Sequence, residues 1–204
     1  MAKSTDKIRI TLDSGVSVEA QTPVIVSASR STDIPAFYAD WFFERFKRGY
    51  SAWTNPFNGV TSYVSYSRTR FIVFWSKNPR PLLQHLDLLV ERNIGCYIQY
   101  TLNDYEAEGL EKGVPPLAQR IETFKMLVYK LGKGRVIWRF DPMILSDKIS
   151  IDDKSKHLSM MQSKDYLELT NSVIEKSNFV KLIHDNIELL FSSGKICETR
   201  IFLI

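Results

Sequence analysis

The sequence predicts an α/β protein, a partial and unclosed (β/α) barrel of about six parallel strands with helices outside. Two observations support this prediction. Short apolar runs rich in β-branched and aromatic residues recur along the chain, as in strands buried on both faces. Between them lie longer segments with apolar residues spaced as on one face of a helix. Strands that alternate with helices pair in parallel through right-handed crossovers, so we expect residues 1–204 to form a single barrel-like domain.

The N-terminal part predicts a hairpin and then the first strand–helix unit. Residues 8–20 favour a short hairpin, turned near Gly15, and residues 24–29 form a buried strand. Pro35 suits the first turn of a helix that Thr32 or Asp33 caps. The helix is expected to run to about Arg48 and to end at Gly49. Its predicted buried stripe is Tyr38, Trp41, Phe42 and Phe46.

The same alternation continues towards the C-terminus. The further strands of the parallel sheet are predicted near 50–54, 71–76, 96–101, 135–140 and 199–204. Residues 60–67 alternate weakly and are interpreted as an edge strand. Helical stripes are predicted over 82–90, 117–131, 159–176 and 179–191. Because Thr199–Ile204 reads as a buried strand and nothing follows it, we expect a barrel truncated at its C-terminus, with that edge exposed or covered by a partner chain or a second copy.

Composition places the chain among ordinary globular proteins. Apolar residues make up 44% and charged residues 25% of the sequence, with a net charge of +4. No apolar run approaches the roughly 20 residues that span a bilayer, and the N-terminus lacks the apolar core of a signal peptide. These features favour a cytoplasmic protein without a membrane partner. The two cysteines and three histidines stand in no metal-ligand spacing, so no metal site is predicted.

Polar residues follow each predicted strand at its carboxyl end, where parallel α/β proteins bind ligands. We expect them to share one cavity that binds an anionic small molecule or a nucleotide-like ligand. The ligand-binding candidates are Arg30, Asn55, Asn78, Gln99, Thr101 and Arg139, and the catalytic candidates are Asp33, Lys77 and Asp141. The cations suit phosphate or carboxylate, while the two aspartates would orient them or exchange protons. Alternatively, Asp33 only caps a helix and Arg139–Asp141 is a buried ion pair.

A second hypothesis belongs to another class of function. Residues 45–80 carry basic side chains interleaved with aromatic ones and contain no acidic residue. Basic groups neutralise phosphates and aromatic rings stack on bases, so this region could bind nucleic acid. Its seven cations are Arg45, Lys47, Arg48, Arg68, Arg70, Lys77 and Arg80. No dinucleotide-binding, P-loop, serine-hydrolase or zincin motif occurs, and the sequence therefore leaves the reaction open.

Four segments together resemble an uncharacterised bacterial family, the domain-of-unknown-function family numbered 1848. They read SASRSTDIPAFY from Ser27, NPFN from Asn55, VFWSKNP from Val73 and VIWRFDP from Val136. Ser31, Ser76 and Phe140 stand where the family usually has Arg, Thr and Tyr.

That resemblance implies a barrel similar to those of radical S-adenosylmethionine enzymes. Longer members of the family continue into a cysteine-rich segment that resembles an iron–sulfur cluster motif. In this chain Cys96 and Cys197 alone cannot supply the thiolates of a cluster, so no iron–sulfur or S-adenosylmethionine chemistry is predicted for it. A third hypothesis is therefore an inactive, truncated relative of those enzymes.

Overall fold

The computed structural model describes residues 6–29, 32–132, 134–139 and 144, which form two four-stranded sheets and several helices. The strands are β1 (Lys7–Thr11), β2 (Ser17–Gln21), β3 (Ile25–Ser27), β4 (Tyr50–Thr54), β5 (Thr61–Ser65), β6 (Phe71–Ser76), β7 (Gly95–Thr101) and β8 (Val136–Arg139). The helices are α1 (Ile34–Phe37), α2 (Ala39–Arg48), α3 (Leu86–Glu91) and α4 (Leu117–Leu131), with a 3-10 helix over Arg80–Gln84.

One sheet is wholly parallel, in the order β3-β6-β7-β8. Its strands lie where the sequence predicted them, and the segments that join β6, β7 and β8 contain the predicted helices, as parallel pairing requires. Trp75 of β6 pairs with Gln99 of β7, and Thr101 of β7 pairs with Arg139 of β8. The polar carboxyl ends of three neighbouring strands therefore meet at one edge of this sheet.

The other sheet has the order β1-β2-β5-β4 and corrects two predictions. The N-terminal hairpin is confirmed, because β1 and β2 pair antiparallel. The assignment of residues 50–54 to the parallel sheet is wrong: β4 pairs antiparallel with β5. The loop between them is closed by a hydrogen bond from Asn55 N to Val60 O (3.0 Å), and so short a connection permits only antiparallel pairing. The predicted edge strand β5 is an inner strand instead, parallel to β2.

The helices pack on one side of the parallel sheet and form the core with it. The rings of Phe42 and Phe43 of α2 lie 5.8 and 6.3 Å from the ring of Phe74. Tyr100 of β7 is 6.1 Å from Phe124 of α4. Because side chains alternate along a strand, this helix face carries every second residue: Ile72, Phe74, Cys96, Ile98, Tyr100, Val136 and Trp138. The far face carries the others: Val73, Trp75, Tyr97, Gln99, Thr101, Ile137 and Arg139.

The predicted helix over 35–48 is confirmed in extent, but its buried stripe is partly wrong. Phe42 and Phe46 are buried, together with Phe43, whereas Tyr38 and Trp41 are about half exposed. The helix is interrupted at Tyr38, where the backbone leaves helical geometry (φ −134°, ψ 24°). The residues before and after this break therefore do not share one helical phase.

A closed barrel is absent from the described residues, and their wholly parallel sheet contains four of the six predicted strands. The predicted strand 199–204 and the helices over 159–176 and 179–191 lie outside the described residues. The expectation of an exposed or covered C-terminal edge, and of self-association through it, stays a prediction. Among the helices that the structure describes, none is both long and apolar enough to cross a membrane.

Candidate anion-binding site

Arg139 lies at the carboxyl end of β8 and is held over the far face of the sheet. Its Nη1 donates to Oε1 of Gln99 at 2.6 Å, and its guanidinium carbon stands 4.7 Å from the centre of the Trp75 ring. The Trp75 indole is fixed in turn, since its Nε1 donates to Oγ1 of Thr101 at 2.9 Å. Gln99 Nε2 donates to the Tyr97 hydroxyl at 3.2 Å. Side chains of β6, β7 and β8 together thus position the guanidinium of Arg139.

The same network reaches β3. The backbone N–H of Trp75 donates to Oγ of Ser29 at 3.1 Å, and Ser29 is the second residue after the end of β3. A hydroxyl at this position therefore ties the first parallel strand to the strand that carries the indole ring.

Lys77 follows β6 and belongs to a second group around the carboxylate of Glu111. Lys77 Nζ lies 2.5 Å from Oε1 of Glu111, and Arg120 Nη1 of α4 lies 3.4 Å from Oε2. Asn103 Nδ2, just beyond β7, donates to Oε1 at 3.4 Å. The side chains of Arg120 and Glu111 are 2% and 7% exposed, so this pair is buried. One carboxylate thus holds two cations.

Asp33 links α1 to the end of β6 through hydrogen bonds to its two carboxylate oxygens. Its Oδ1 accepts from Ala36 N (3.0 Å), which caps α1 as the alternative interpretation expected. Its Oδ2 accepts from Oγ of Ser76 (2.9 Å) and from Lys77 N (3.3 Å). Asn78 N donates to the same Ser76 Oγ at 2.8 Å. The carboxylate therefore fixes the backbone from which Lys77 and Asn78 project.

Gln99, Thr101 and Arg139 of the proposed site lie together at the ends of β7 and β8, whereas Lys77, Asn78 and Asp33 lie at the end of the neighbouring β6 in the group around Glu111. That these residues share one cavity stays a prediction. Asn55 lies apart, in the loop between β4 and β5 of the other sheet, where its Oδ1 accepts from Phe57 N at 2.9 Å. Arg30 and Asp141 lie outside the described residues. The role of each of these residues towards a ligand stays a prediction.

Two contributors were missed by reasoning from the sequence. Trp75 was not among the predicted site residues, although an indole beside a cation is a recognisable pairing. Glu111 gave no signal, because it stands in a charged loop and lies 34 residues along the chain from Lys77.

The basic region 45–80 is less positive in the folded protein than in the sequence. Carboxylates from outside it, or from its border, pair with four of its cations: Glu44 with Lys47, Asp13 with Arg48, Asp6 with Arg68 and Glu111 with Lys77. Because these partners are mostly distant in the sequence, a local count of charge does not include them.

Cys96 does not fit the role of a metal or cluster ligand. It lies on the helix face, 4% exposed, and burial raises the pKa of its thiol to about 11. Cluster ligation requires a thiolate, which this environment disfavours. Within the described ranges no group of three or more His, Cys, Asp or Glu side chains is arranged to hold a metal ion.

Comparison with protein families now adds to this geometry. The model of a family described as Domain of unknown function (DUF1848) matches residues 25–192. The chain belongs to this family. The matched residues include the whole parallel sheet and each candidate of the DUF1848 chain from Arg30 to Asp141. No curated protein and no solved structure matches the chain. The family description assigns no activity, and the site itself must therefore carry the functional argument.

Proposed function

We propose that this DUF1848 chain binds a small ligand bearing a phosphate or carboxylate group at the carboxyl ends of β6, β7 and β8, with Arg139 as the main contact. The observation that supports the proposal is the network in which Gln99, Trp75 and Thr101 orient the Arg139 guanidinium. A guanidinium presents its N–H groups as a planar fork that matches two oxygens of a phosphate or carboxylate.

The contacts of Arg139 on the far face favour a role in binding an anion. Gln99 is a neutral acceptor, so its hydrogen bond fixes the direction of the guanidinium without adding a negative charge. The face of an indole ring attracts a cation and restricts its motion. A side chain ordered before binding loses less conformational entropy when the ligand arrives. Carboxyl ends of parallel strands are also where α/β folds bind ligands.

The other candidates take supporting roles in this proposal. Lys77 is paired with Glu111 near the same edge, and the group of Lys77, Arg120 and Glu111 keeps one net positive charge, which would add long-range attraction for an anion. Asp33 orients Lys77 and Asn78 through the bonds to its two carboxylate oxygens, and these bonds favour a positioning role over proton exchange. Arg30 and Asp141 keep their expected roles as an anion contact and an orienting or proton-exchanging carboxylate. The proposal names a ligand class and assigns no reaction.

Isothermal titration calorimetry with inorganic phosphate tests the proposal. Arg139→Ala should weaken binding by at least about tenfold, because a hydrogen bond to a charged group contributes roughly 1.5–3 kcal/mol. Arg9→Ala is the matched control: it removes the same charge from an exposed position on β1 and should change affinity little. An equal loss of phosphate affinity in both variants would show that binding depends only on the net charge of the protein, and the Arg139 site would be rejected.

Nucleic-acid binding through residues 45–80 stays the alternative from another class. The ion pairs of Lys47, Arg48, Arg68 and Lys77 reduce the charge available for phosphates there. A single-stranded oligonucleotide titrated at several salt concentrations separates the two hypotheses. Tight binding with a steep salt dependence that Arg139→Ala leaves unchanged would favour the nucleic-acid surface.

A further inference from the structure

An aromatic cleft of about 410 Å³ opens between the parallel sheet and the β4–β5 hairpin. The end of β3 forms one wall, α1 and α2 form the second, and β4 and β5 form the third. Its volume lies in the range of sites for small molecules, which are typically apolar with a few polar groups.

Three large aromatic side chains line the cleft without being buried. Tyr38, Trp41 and Trp53 are 50%, 44% and 50% exposed. In the described part of the chain, none of the ring–ring contacts involves any of the three. Their ring faces are therefore not already stacked on other aromatic side chains of the described residues. Clustered exposed apolar surface of this kind on a folded chain commonly marks a binding site.

The remaining lining indicates an uncharged, partly polar occupant. None of the described residues that line the cleft is acidic, basic or a histidine. Tyr66 and Ser51 provide polar atoms within the wall, joined by a hydrogen bond from the Tyr66 hydroxyl to Ser51 Oγ at 2.9 Å. Burial raises the pKa of the Tyr66 phenol, so this group stays neutral at physiological pH.

The cleft is a neighbour of the proposed anion site. Ser27 and Ala28 line the cleft, and the next residue, Ser29, accepts the hydrogen bond from Trp75 N. The Trp75 ring is the one over which the Arg139 guanidinium stands. Neighbouring strands are about 4.8 Å apart, and β3 is hydrogen-bonded to β6. The cleft lies on the helix side of β3, since Val26 pairs with Ile72 and packs against the core, whereas Arg139 stands on the far side. A ligand with a ring at one end and an anion at the other would reach both places by passing over the carboxyl end of β3.

We infer that the cleft binds a planar heteroaromatic ring, of the kind found in a nucleobase, and that the ligand of the chain is nucleotide-like. This inference rests on the proposed function for its anionic end and on Tyr38, Trp41 and Trp53 for its ring end. The aromatic side chains stack on the ring, while the Ser51–Tyr66 pair offers hydrogen bonds to its edge.

Calorimetry with adenosine, inorganic phosphate and adenosine monophosphate tests the two ends separately. Adenosine alone should bind, and the monophosphate should bind more tightly than either part. Trp53→Ala should weaken the affinity for adenosine by about tenfold and leave the affinity for phosphate unchanged. Trp53→Phe should keep most of the affinity for adenosine. Phe57→Ala is the control, since this ring is 97% exposed in the β4–β5 loop outside the cleft.

The outcomes separate this inference from the proposed function. If phosphate binds and adenosine does not, the ring site is wrong and the anion site stands. If adenosine binds and phosphate does not, the anion site is wrong and the ring site stands. Adenosine binding that Trp53→Ala leaves unaltered would place the ring elsewhere and overturn the inference. Failure of both ligands would overturn both.

Discussion

The helix face and the far face of the parallel sheet are built from alternate residues of the same strands, yet their chemistry differs. On the helix face, Phe74 and Tyr100 are fully buried against aromatic residues of α2 and α4. On the far face, Trp75 remains 45% exposed and is engaged by Arg139 and Thr101. Burial of apolar area stabilises a fold, whereas oriented polar groups provide recognition. We therefore expect stability and ligand binding to respond to different faces.

The largest expected effect is on stability, and it distinguishes Phe74 from Trp75, two adjacent aromatic residues on opposite faces of the parallel sheet. Phe74→Ala should lower the free energy of unfolding by about 3–5 kcal/mol, because it leaves a cavity among Phe42 and Phe43. Trp75→Ala should cost clearly less, since its ring is already half in contact with solvent. Urea unfolding of both variants measures the difference. Equal costs would mean that the far face is a second core and would remove the contrast between the faces.

A variant of the buried Glu111 distinguishes the two cation groups, namely Lys77 and Arg120 around Glu111 and Arg139 beside Gln99. Glu111→Gln should destabilise the fold by about 3 kcal/mol, because it leaves the buried charge of Arg120 without its carboxylate. Phosphate binding by the folded variant should persist, since Arg139 is positioned by Gln99 instead. Denaturant unfolding and phosphate calorimetry on the same sample check both statements. Loss of phosphate affinity in a stably folded Glu111→Gln protein would show that Lys77, as Glu111 positions it, is the main contact for the phosphate.

The buried thiol of Cys96 should make the stability of the fold depend on pH, which gives a measure of how well the helix face is buried. Its pKa is raised from an ordinary 9.0 to about 11 by burial. The folded chain keeps this proton at pH values where the unfolded chain has lost it. The free energy of unfolding should therefore fall as pH rises from about 9 to 11, by roughly 2 kcal/mol.

Comparison of Cys197→Ser with the Cys96→Ala/Cys197→Ser double variant isolates this contribution. The double variant keeps Tyr66 and Tyr100, whose raised pKa values act in the same direction. The fall with pH should be smaller in the double variant by the contribution of Cys96. Identical pH profiles would show that the thiol is not buried as described.

The smallest expected effect concerns the indole of Trp75. Thr101→Val keeps the shape of a buried side chain but removes the acceptor for Trp75 Nε1. The loss should be about 1 kcal/mol in stability, with a modest weakening of phosphate binding because the indole is less well fixed. Urea unfolding and calorimetry measure both, with Thr61→Val on β5 as the exposed control. A neutral result for both quantities would remove Thr101 from the network.

Sequence periodicity predicted the parallel sheet well because a buried parallel strand is a continuous apolar run, as Phe71–Trp75 shows. It failed for β4, where Tyr50–Trp53 looks similar but the following loop is too short for a crossover. Loop length, read more strictly, would have corrected this assignment. The buried stripe was misplaced by one position, because the buried residues of α2 are Ala39, Phe42, Phe43 and Phe46 and apolar spacing alone fits either phase of the helix.

The candidate site was predictable in position and less so in detail. Alternation along β7 and β8 was enough to place Gln99, Thr101 and Arg139 on one face. The partners Glu111 and Arg120 were not predictable, because their pairing depends on how a loop and α4 return to the end of β6. The cations of residues 45–80 were overvalued for the same reason, since Asp6 and Asp13 reach them only in the folded chain.

The most direct test of the far face as the ligand face uses the indole N–H resonances in a ¹H–¹⁵N spectrum. The chain has four tryptophans, each assignable with a Trp→Phe variant. Trp75 lies on the far face, whereas Trp138 packs towards the core and donates its Nε1–H to Leu102 O at 3.1 Å. Inorganic phosphate should shift the Trp75 resonance saturably, leave that of Trp138 in place, and lose this effect in Arg139→Ala. A phosphate-dependent shift confined to Trp138, or saturable binding that leaves Trp75 unmoved, would contradict the account.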